Sequence, residues 1–247
     1  MKKEMKIIAV IPCRVKSKRL FLKPLQNVGD FTILELQINQ LKKSKKIGEI
    51  VLAIAKTTGN DLFIEFAQRH NLKYVLGDEL DVLSRFIKAA KKVKANVIVR
   101  ITSENPYIFW EGIDNLINKH LENEYDLSKD DKLPYGAGLE VINLKSLQIA
   151  HEYGSNLDKE HCTSYIFENP KKFKILKLKP SKSLQRPELR LTVDTPQDLW
   201  VARLIYSKLD GKGKPIKLEK IIRFLDKFPK IKKINSPVNL NGKKFQL

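Results

Sequence analysis

Three groups of polar side chains in this chain follow directly on apolar runs of strand length. Residues 14–23 hold five cations, Arg14, Lys16, Lys18, Arg19 and Lys23, just after the run 6–12. Glu104 lies in Thr102-Ser103-Glu104-Asn105-Pro106, after the run 96–101, and Asp194 closes the run 190–193 ahead of Thr195-Pro196. Guanidinium and ammonium groups at that density neutralise phosphate oxygens. Single carboxylates from two separate strands supply hard oxygen ligands to a cation such as Mg2+, which keeps its other water and phosphate ligands. The combination suits a nucleoside triphosphate with Mg2+ and a phosphoryl or nucleotidyl transfer, in which positioning and charge stabilisation carry the rate. Neither GxxxxGK[ST] nor GxGxxG is present in the loop, so P-loop hydrolysis and dinucleotide redox chemistry lose their main support. Each piece also has a plain reading: a solvated basic loop, a turn carboxylate, and a helix cap at Asp194. Their common placement at strand ends favours the joint one.

Other reactive side chains carry less. His161, beside Cys162 and Tyr165, is either a packed helix residue or a contact to a substrate, while His70, His120 and His151 read as surface or helix-end residues. Cys13 at a strand end has no evident base to activate its thiol. Two cysteines give neither a disulfide framework nor a metal-ligand spacing, which favours a reduced, cytoplasmic chain.

The elements that must position these groups alternate. Strand-length apolar runs at 6–12, 49–55, 73–76, 96–101, 139–142, 173–179 and 190–193 are separated by helical periodicity at 32–43, 61–70, 81–93, 110–123, 144–153, 159–169, 196–208 and 218–228. Thr32, Asn60 and either Asp194 or Thr195 stand where helix caps belong. This predicts an α/β fold with a mainly parallel, helix-covered sheet, whose ligands lie outside the carboxyl ends of the strands. Residues 1–210 read as one domain, with an insertion around 126–190 forming part of a substrate and dimerisation lobe. A hinge at 211–215 leads into a basic terminal helix and tail through residue 247, weakly ordered from 236 on.

The formal charge of +19 invites a nucleic-acid reading, but only nine of the 47 cationic side chains are Arg, and residues 211–247 concentrate much of the excess. No Arg-rich or aromatic-interleaved stripe occurs, so no specific nucleic-acid partner is expected. The apolar start is too short to span a membrane and lacks a cleavage site, so neither membrane insertion nor export is expected.

Five motifs in order, Arg14-x-x-Ser17-x-Arg19-Leu20-x-x-Lys23-Pro24-Leu25, Gly77-Asp78-Glu79-Leu80-Asp81-Val82-Leu83-Ser84-Arg85-Phe86, Val99-Arg100-Ile101-Thr102-Ser103-Glu104-Asn105-Pro106, Glu160-His161-Cys162-Thr163-Ser164-Tyr165-Ile166 and Arg190-Leu191-Thr192-Val193-Asp194-Thr195-Pro196-Gln197-Asp198-Leu199, resemble the signatures of the sugar-acid cytidylyltransferase superfamily. The branch most similar is the spore-coat-polysaccharide (SpsF-like) one, related to CMP-sialate and CMP-KDO synthetases, and the likeness spans about residues 6–205. It implies a nucleotide-diphospho-sugar transferase (Rossmann-like) fold, transfer of CMP from CTP to a small acidic sugar with release of pyrophosphate, Mg2+ dependence, and a homodimer. Pro12, Cys13, Arg14, Ser17, Arg19 and Lys23 would then face the nucleotide, with Arg14, Arg19 and Lys23 gripping the triphosphate through catalysis. Asp81 and Arg85 would lie near the nucleoside or sugar, Glu104 and Asp194 would bind metal, and Glu140, Glu160, His161 and Arg190 would line the acceptor pocket. An acidic acceptor also calls for a guanidinium beyond those on CTP. Arg100 and Arg190 are available, each with an ion pair to Glu140 or Glu160 as the alternative. The chain departs from the family pattern at Phe21-Leu22, where Pro-Gly is usual, and at Ser103-Glu104, where Gly-Asp is usual. The first removes a permissive backbone position, and the second lengthens the carboxylate arm. The rival readings are a nucleotidyltransferase using another nucleotide or a non-sugar acceptor, and a weakly catalytic nucleotide-binding partner protein.

Overall fold

Strand β1 (Ile7–Cys13) has no polar face: Ile7, Ala9, Ile11 and Cys13 enter one core layer, and Ile8 and Val10 enter another. With successive side chains on opposite faces, such a strand must be covered on both sides. The computed structural model, which describes residues 5–16, 19–209 and 212–234, provides that cover. The chain continues through a short hairpin of β2 (Asn27–Val28) and β3 (Phe31–Thr32), then α1 (Ile33–Leu41), β4 (Glu49–Ala55), α2 (Asp61–Arg69), β5 (Lys73–Gly77), α3 (Val82–Lys92), β6 (Val97–Arg100) and α4 (Ile113–Glu122). Next come β7 (Leu127–Asp130), β8 (Glu140–Asn143), α5 (Leu144–Tyr153), α6 (Asn156–His161), α7 (Ser164–Glu168) and β9 (Ile175–Leu178). The helices α8 (Pro196–Lys208), α9 (Leu218–Lys227) and α10 (Pro229–Ile234) follow.

The seven-stranded sheet has the order β5-β4-β1-β6-β8-β7-β9, and β8 alone runs against the other six. From β1 the chain first moves outward to β4 and β5, then returns to place β6 on the other side of β1. The strand order therefore reverses between β1 and β6, which opens a crevice at their carboxyl ends. A third core layer, with Leu191, Val193, Leu199, Ile205 and Leu225 among its buried residues, joins α8 and α9 to the segment that carries Asp194.

The expected α/β architecture is found, with differences in detail. The stretch 190–193 is not a sheet strand: it makes one isolated bridge, Tyr135 to Arg190, because it runs beyond the sheet while its apolar side chains feed the third core layer. The expected helix 159–169 is two helices, broken at Cys162, whose φ of 64° cannot continue a right-handed helix. Thr195, not Asp194, caps α8, in a capping box with Asp198. Residues 126–190 contribute β7, β8 and β9 to the same sheet. The expected hinge falls partly, and the tail from residue 236 wholly, outside the described residues.

Candidate active site

The basic loop leaves β1 at the switch point and is held from both sides. Asn60, at the start of α2, accepts a hydrogen bond from the Val15 amide at 2.8 Å. At its far end a turn over Lys23–Leu25 buries Pro24, and Gln26 donates to the Phe21 carbonyl. Leu22, which replaces the usual glycine, adopts φ 51°, ψ 40°. Left-handed backbone at a residue with a Cβ costs about 1–2 kcal/mol; packing of the Leu22 side chain against the first core layer offsets it.

Helix α1 holds the turn after β6. The Gln37 amide donates to the carbonyls of Thr102 (2.7 Å) and Asn105 (2.9 Å), and Gln40 donates to that of Pro106 (2.7 Å). Glu104 projects from this turn, and its own carbonyl accepts from the Val193 amide at 2.9 Å, tying the turn to the segment that presents Asp194.

Asp194 is where the charges meet. Lys23 Nζ lies 2.5 Å and Arg19 Nη2 3.0 Å from its Oδ1, while Arg190 Nη2 lies 2.8 Å from its Oδ2. Arg190 is aimed by Asp198, whose Oδ1 accepts from Nε at 2.9 Å. Burial alone would raise the Asp194 carboxyl, but the hydrogen bond and charge of Lys23, with Arg19 and Arg190, hold it below the usual carboxylate range. Glu104 moves the other way: burial, then the charge of Asp194, raise it against the pull of Lys23 and Arg100. Two neighbouring carboxylates are thereby pushed apart in acidity, as at sites that handle charge.

The other expected residues divide. Arg14 faces Glu160 at 3.7 Å, linking the basic loop to α6. Arg100 pairs with Glu140 at 2.9 Å, and the Thr163 hydroxyl donates to the other Glu140 oxygen at 3.5 Å. The ion-pair alternative thus holds for Arg100, and Arg190 is likewise engaged, though by Asp194 and Asp198. Arg85 does not face the crevice. It is 1% exposed, and its Nη1 donates to the carbonyls of Ala53 (2.6 Å) and Cys13 (3.4 Å), closing the ends of β4 and β1 from beneath the loop. Asp81 caps α3 through the Ser84 amide and pairs with His151 at 2.7 Å. His161 is exposed at the end of α6. Pro12 and Cys13 end β1; the Cys13 thiol is pushed up to about 12 by burial, so it stays protonated and is no nucleophile. Ser17 lies outside the described residues.

Sequence reasoning passed over Gln37, Gln40, Asn60 as a loop clamp, and Tyr135. The last stands 46% exposed, with the Arg190 guanidinium 5.3 Å from its ring centre. The signal for the glutamines was their polarity on an otherwise apolar helix face.

Among the described residues no group of three or more His, Cys, Asp and Glu could hold a metal. The pair Glu104 and Asp194 nonetheless fits Mg2+: both are hard oxygen donors, Glu104 feels the charge of Asp194, and the remaining ligands of this cation are ordinarily water and phosphate oxygens. The pair does not fit a permanently bound metal, because both Asp194 oxygens carry cationic partners.

A mostly parallel sheet whose switch point joins a cationic loop to one carboxylate from the turn after β6 and one from the segment entering α8 defines a nucleotidyltransferase of Rossmann-like build. The sequence model of the cytidylyltransferase family matches residues 8–245, and the chain belongs to that family. The uncharacterized protein MJ1063 of Methanocaldococcus jannaschii is 37% identical over 235 residues, 95% of this chain and 96% of its own. The spore coat polysaccharide biosynthesis protein SpsF of Bacillus subtilis is 27% identical over 229 residues, 90% and 95% of the two chains. A 3-deoxy-manno-octulosonate cytidylyltransferase of Chloroherpeton thalassium is 31% identical over 121 residues, 48% of each chain. The solved structure of a cytidylyltransferase from Leptospira borgpetersenii, 25% identical, superposes with a TM-score of 0.87 over 96% of this chain and all of its own.

Proposed function

We propose that the enzyme transfers CMP from CTP to a hydroxyl of a small acidic sugar and releases pyrophosphate, with Mg2+ held by Glu104 and Asp194. The observation that carries this reading is the convergence of Lys23, Arg19 and Arg190 on Asp194, with Glu104 beside it, at the switch point of the sheet. Similarity to a polysaccharide-biosynthesis protein and to a cytidylyltransferase for a sugar acid supports the choice of donor and acceptor.

In this mechanism Arg14, Arg19 and Lys23 bind the β- and γ-phosphates and offset the charge that grows on the departing pyrophosphate. The acceptor oxygen bonds to the α-phosphorus as the bond to the bridging oxygen breaks, and the hydroxyl proton is released. When bound by Glu104 and Asp194, Mg2+ would supply neutralisation of phosphate charge. Arg190, aimed by Asp198, keeps the Asp194 carboxylate turned toward the loop, and Arg85 fixes the carbonyl from which the loop departs. One observation favours a neutral acceptor instead: both candidate guanidiniums for an acceptor carboxylate, Arg100 and Arg190, already hold protein carboxylates.

Pyrophosphate release from each of the four ribonucleoside triphosphates, with and without Mg2+ and against a panel of acidic and neutral sugars, tests the proposal. Turnover with CTP, Mg2+ and an acidic sugar is expected. Turnover restricted to neutral acceptors would reject the sugar-acid part alone, and no CTP-dependent release with any acceptor would reject the whole.

A further inference from the structure

We propose that Tyr135 is the aromatic floor of the acceptor subsite and selects which sugar is used, an inference that rests on the transfer reaction proposed above. Tyr135 sits at the tip of a tight turn between β7 and β8. The Ala137 amide donates to the Pro134 carbonyl at 2.9 Å, and the following Gly136 has φ 92°. A Cβ at Gly136 would meet the Thr192 amide nitrogen at 2.5 Å, so only glycine lets the turn lie this close to the segment leading to Asp194. The Tyr135 amide donates to the Leu189 carbonyl (2.8 Å), and its own carbonyl accepts from Leu191 (2.7 Å). The backbone is thus locked on both sides while the side chain is left in the open.

That presentation sets an aromatic residue beside the charged cluster. The ring is 46% exposed, Arg190 approaches it at 5.3 Å, and the hydroxyl has no hydrogen-bond partner among the described residues. Its phenol is shifted upward by partial burial and by the charge of Asp194 and Glu104, with Arg190 and Arg19 acting the other way. Tyr135 therefore stands beside the charged cluster, against the Arg190 guanidinium, while its hydroxyl makes no hydrogen bond among the described residues. A half-exposed ring with an unpaired hydroxyl offers an apolar face and a polar tip, which matches a sugar with one C–H face and several hydroxyls.

The acceptor is the substrate this ring can reach. In-line displacement puts the entering oxygen opposite the leaving one, and the loop cations assign the leaving pyrophosphate to the β1 side. Tyr135 extends from the β7–β8 connection, on the far side of β6 from β4 and β5. The nucleoside can lie along β4 and β5, leaving the acceptor against Tyr135.

The test is steady-state kinetics of Tyr135→Ala and Tyr135→Phe with CTP and the acceptor varied separately, together with the sugar panel. Tyr135→Ala should raise the acceptor KM about 10-fold or more, the effect of losing about 1.4 kcal/mol. The KM for CTP should stay within about twofold, and discrimination among the sugars should flatten. Tyr135→Phe should recover the ring contribution, with the remaining loss confined to sugars that bond the hydroxyl. An unchanged acceptor KM and unchanged selectivity in Tyr135→Ala, or equal rises in both KM values, would overturn the inference while transfer from CTP stands. If the parent enzyme transfers CMP to no sugar, the functional proposal fails and this inference falls with it.

Discussion

Lys23 and Arg19, the cations proposed to bind the triphosphate, are also partners of Asp194. Both hold Asp194 Oδ1, at 2.5 and 3.0 Å, while Arg190 holds Oδ2 at 2.8 Å. On the proposed function, an arriving triphosphate would compete for Lys23 and Arg19 and, in taking them, uncover Asp194 for the metal. Metal and nucleotide should then bind with positive coupling, and free metal alone should bind weakly. Lys23→Gln removes the nearest competitor while keeping a side chain of similar length, and Arg19 and Arg190 remain to compensate Asp194. A hydrogen bond to a charged partner contributes about 1.5–3 kcal/mol, which converts to about 10- to 100-fold in affinity. Electron paramagnetic resonance titration with Mn2+ in the absence of nucleotide should therefore show Lys23→Gln binding about 10- to 100-fold more tightly than the parent. The same variant should lose CTP affinity by calorimetry. Equal Mn2+ affinity in parent and variant, or parent Mn2+ affinity indifferent to CTP, would refute the exchange.

Two further predictions concern stability. Burial raises the Asp130 carboxyl from its ordinary 3.8 to about 7. The folded state therefore keeps a proton that the unfolded chain has lost, and stability declines as pH rises from about 4 to 7. Asp130→Asn should match the parent near pH 4 and exceed it at pH 8 by at most about 4 kcal/mol in urea denaturation; parallel pH profiles would contradict this. At Leu22, glycine relieves the left-handed backbone while alanine retains it, and both lose the packing. Leu22→Gly should thus be more stable than Leu22→Ala by about 1 kcal/mol, the reverse of the order in regular structure.

Strand runs and the basic loop were legible because a doubly covered parallel sheet needs uninterrupted apolar runs and because charge clusters survive in one dimension. β7 was not, since Leu127-Ser128-Lys129-Asp130 has one apolar residue; its polar groups find partners only in three dimensions, as when Ser128 meets His120 at 2.9 Å. The break at Cys162 was hidden because a positive φ fell on a residue other than glycine. Arg85 reads as a ligand contact within its motif, yet it lies three residues after Val82 and four before Ala89, on the stripe of α3 that faces the sheet. Helical spacing alone would have placed it inside. Glu104 was legible as a residue that follows a strand, whereas the strand expected before Asp194 is an extended segment outside the sheet; the grip of Lys23 and Arg190 on Asp194 spans 171 positions in one case and four in the other, and only the fold joins them.

On the proposed function, Asp194 and its neighbours form the reaction centre, and Asp194 is more than a structural ion-pair acceptor. Single-turnover transfer of α-labelled CTP to the preferred sugar, in the parent and in Asp194→Asn at saturating CTP and Mg2+, tests it most directly. The labelled CMP-sugar should form at least about 100-fold more slowly in the variant, with folding intact by circular dichroism. Product formation at the parental rate would contradict the account.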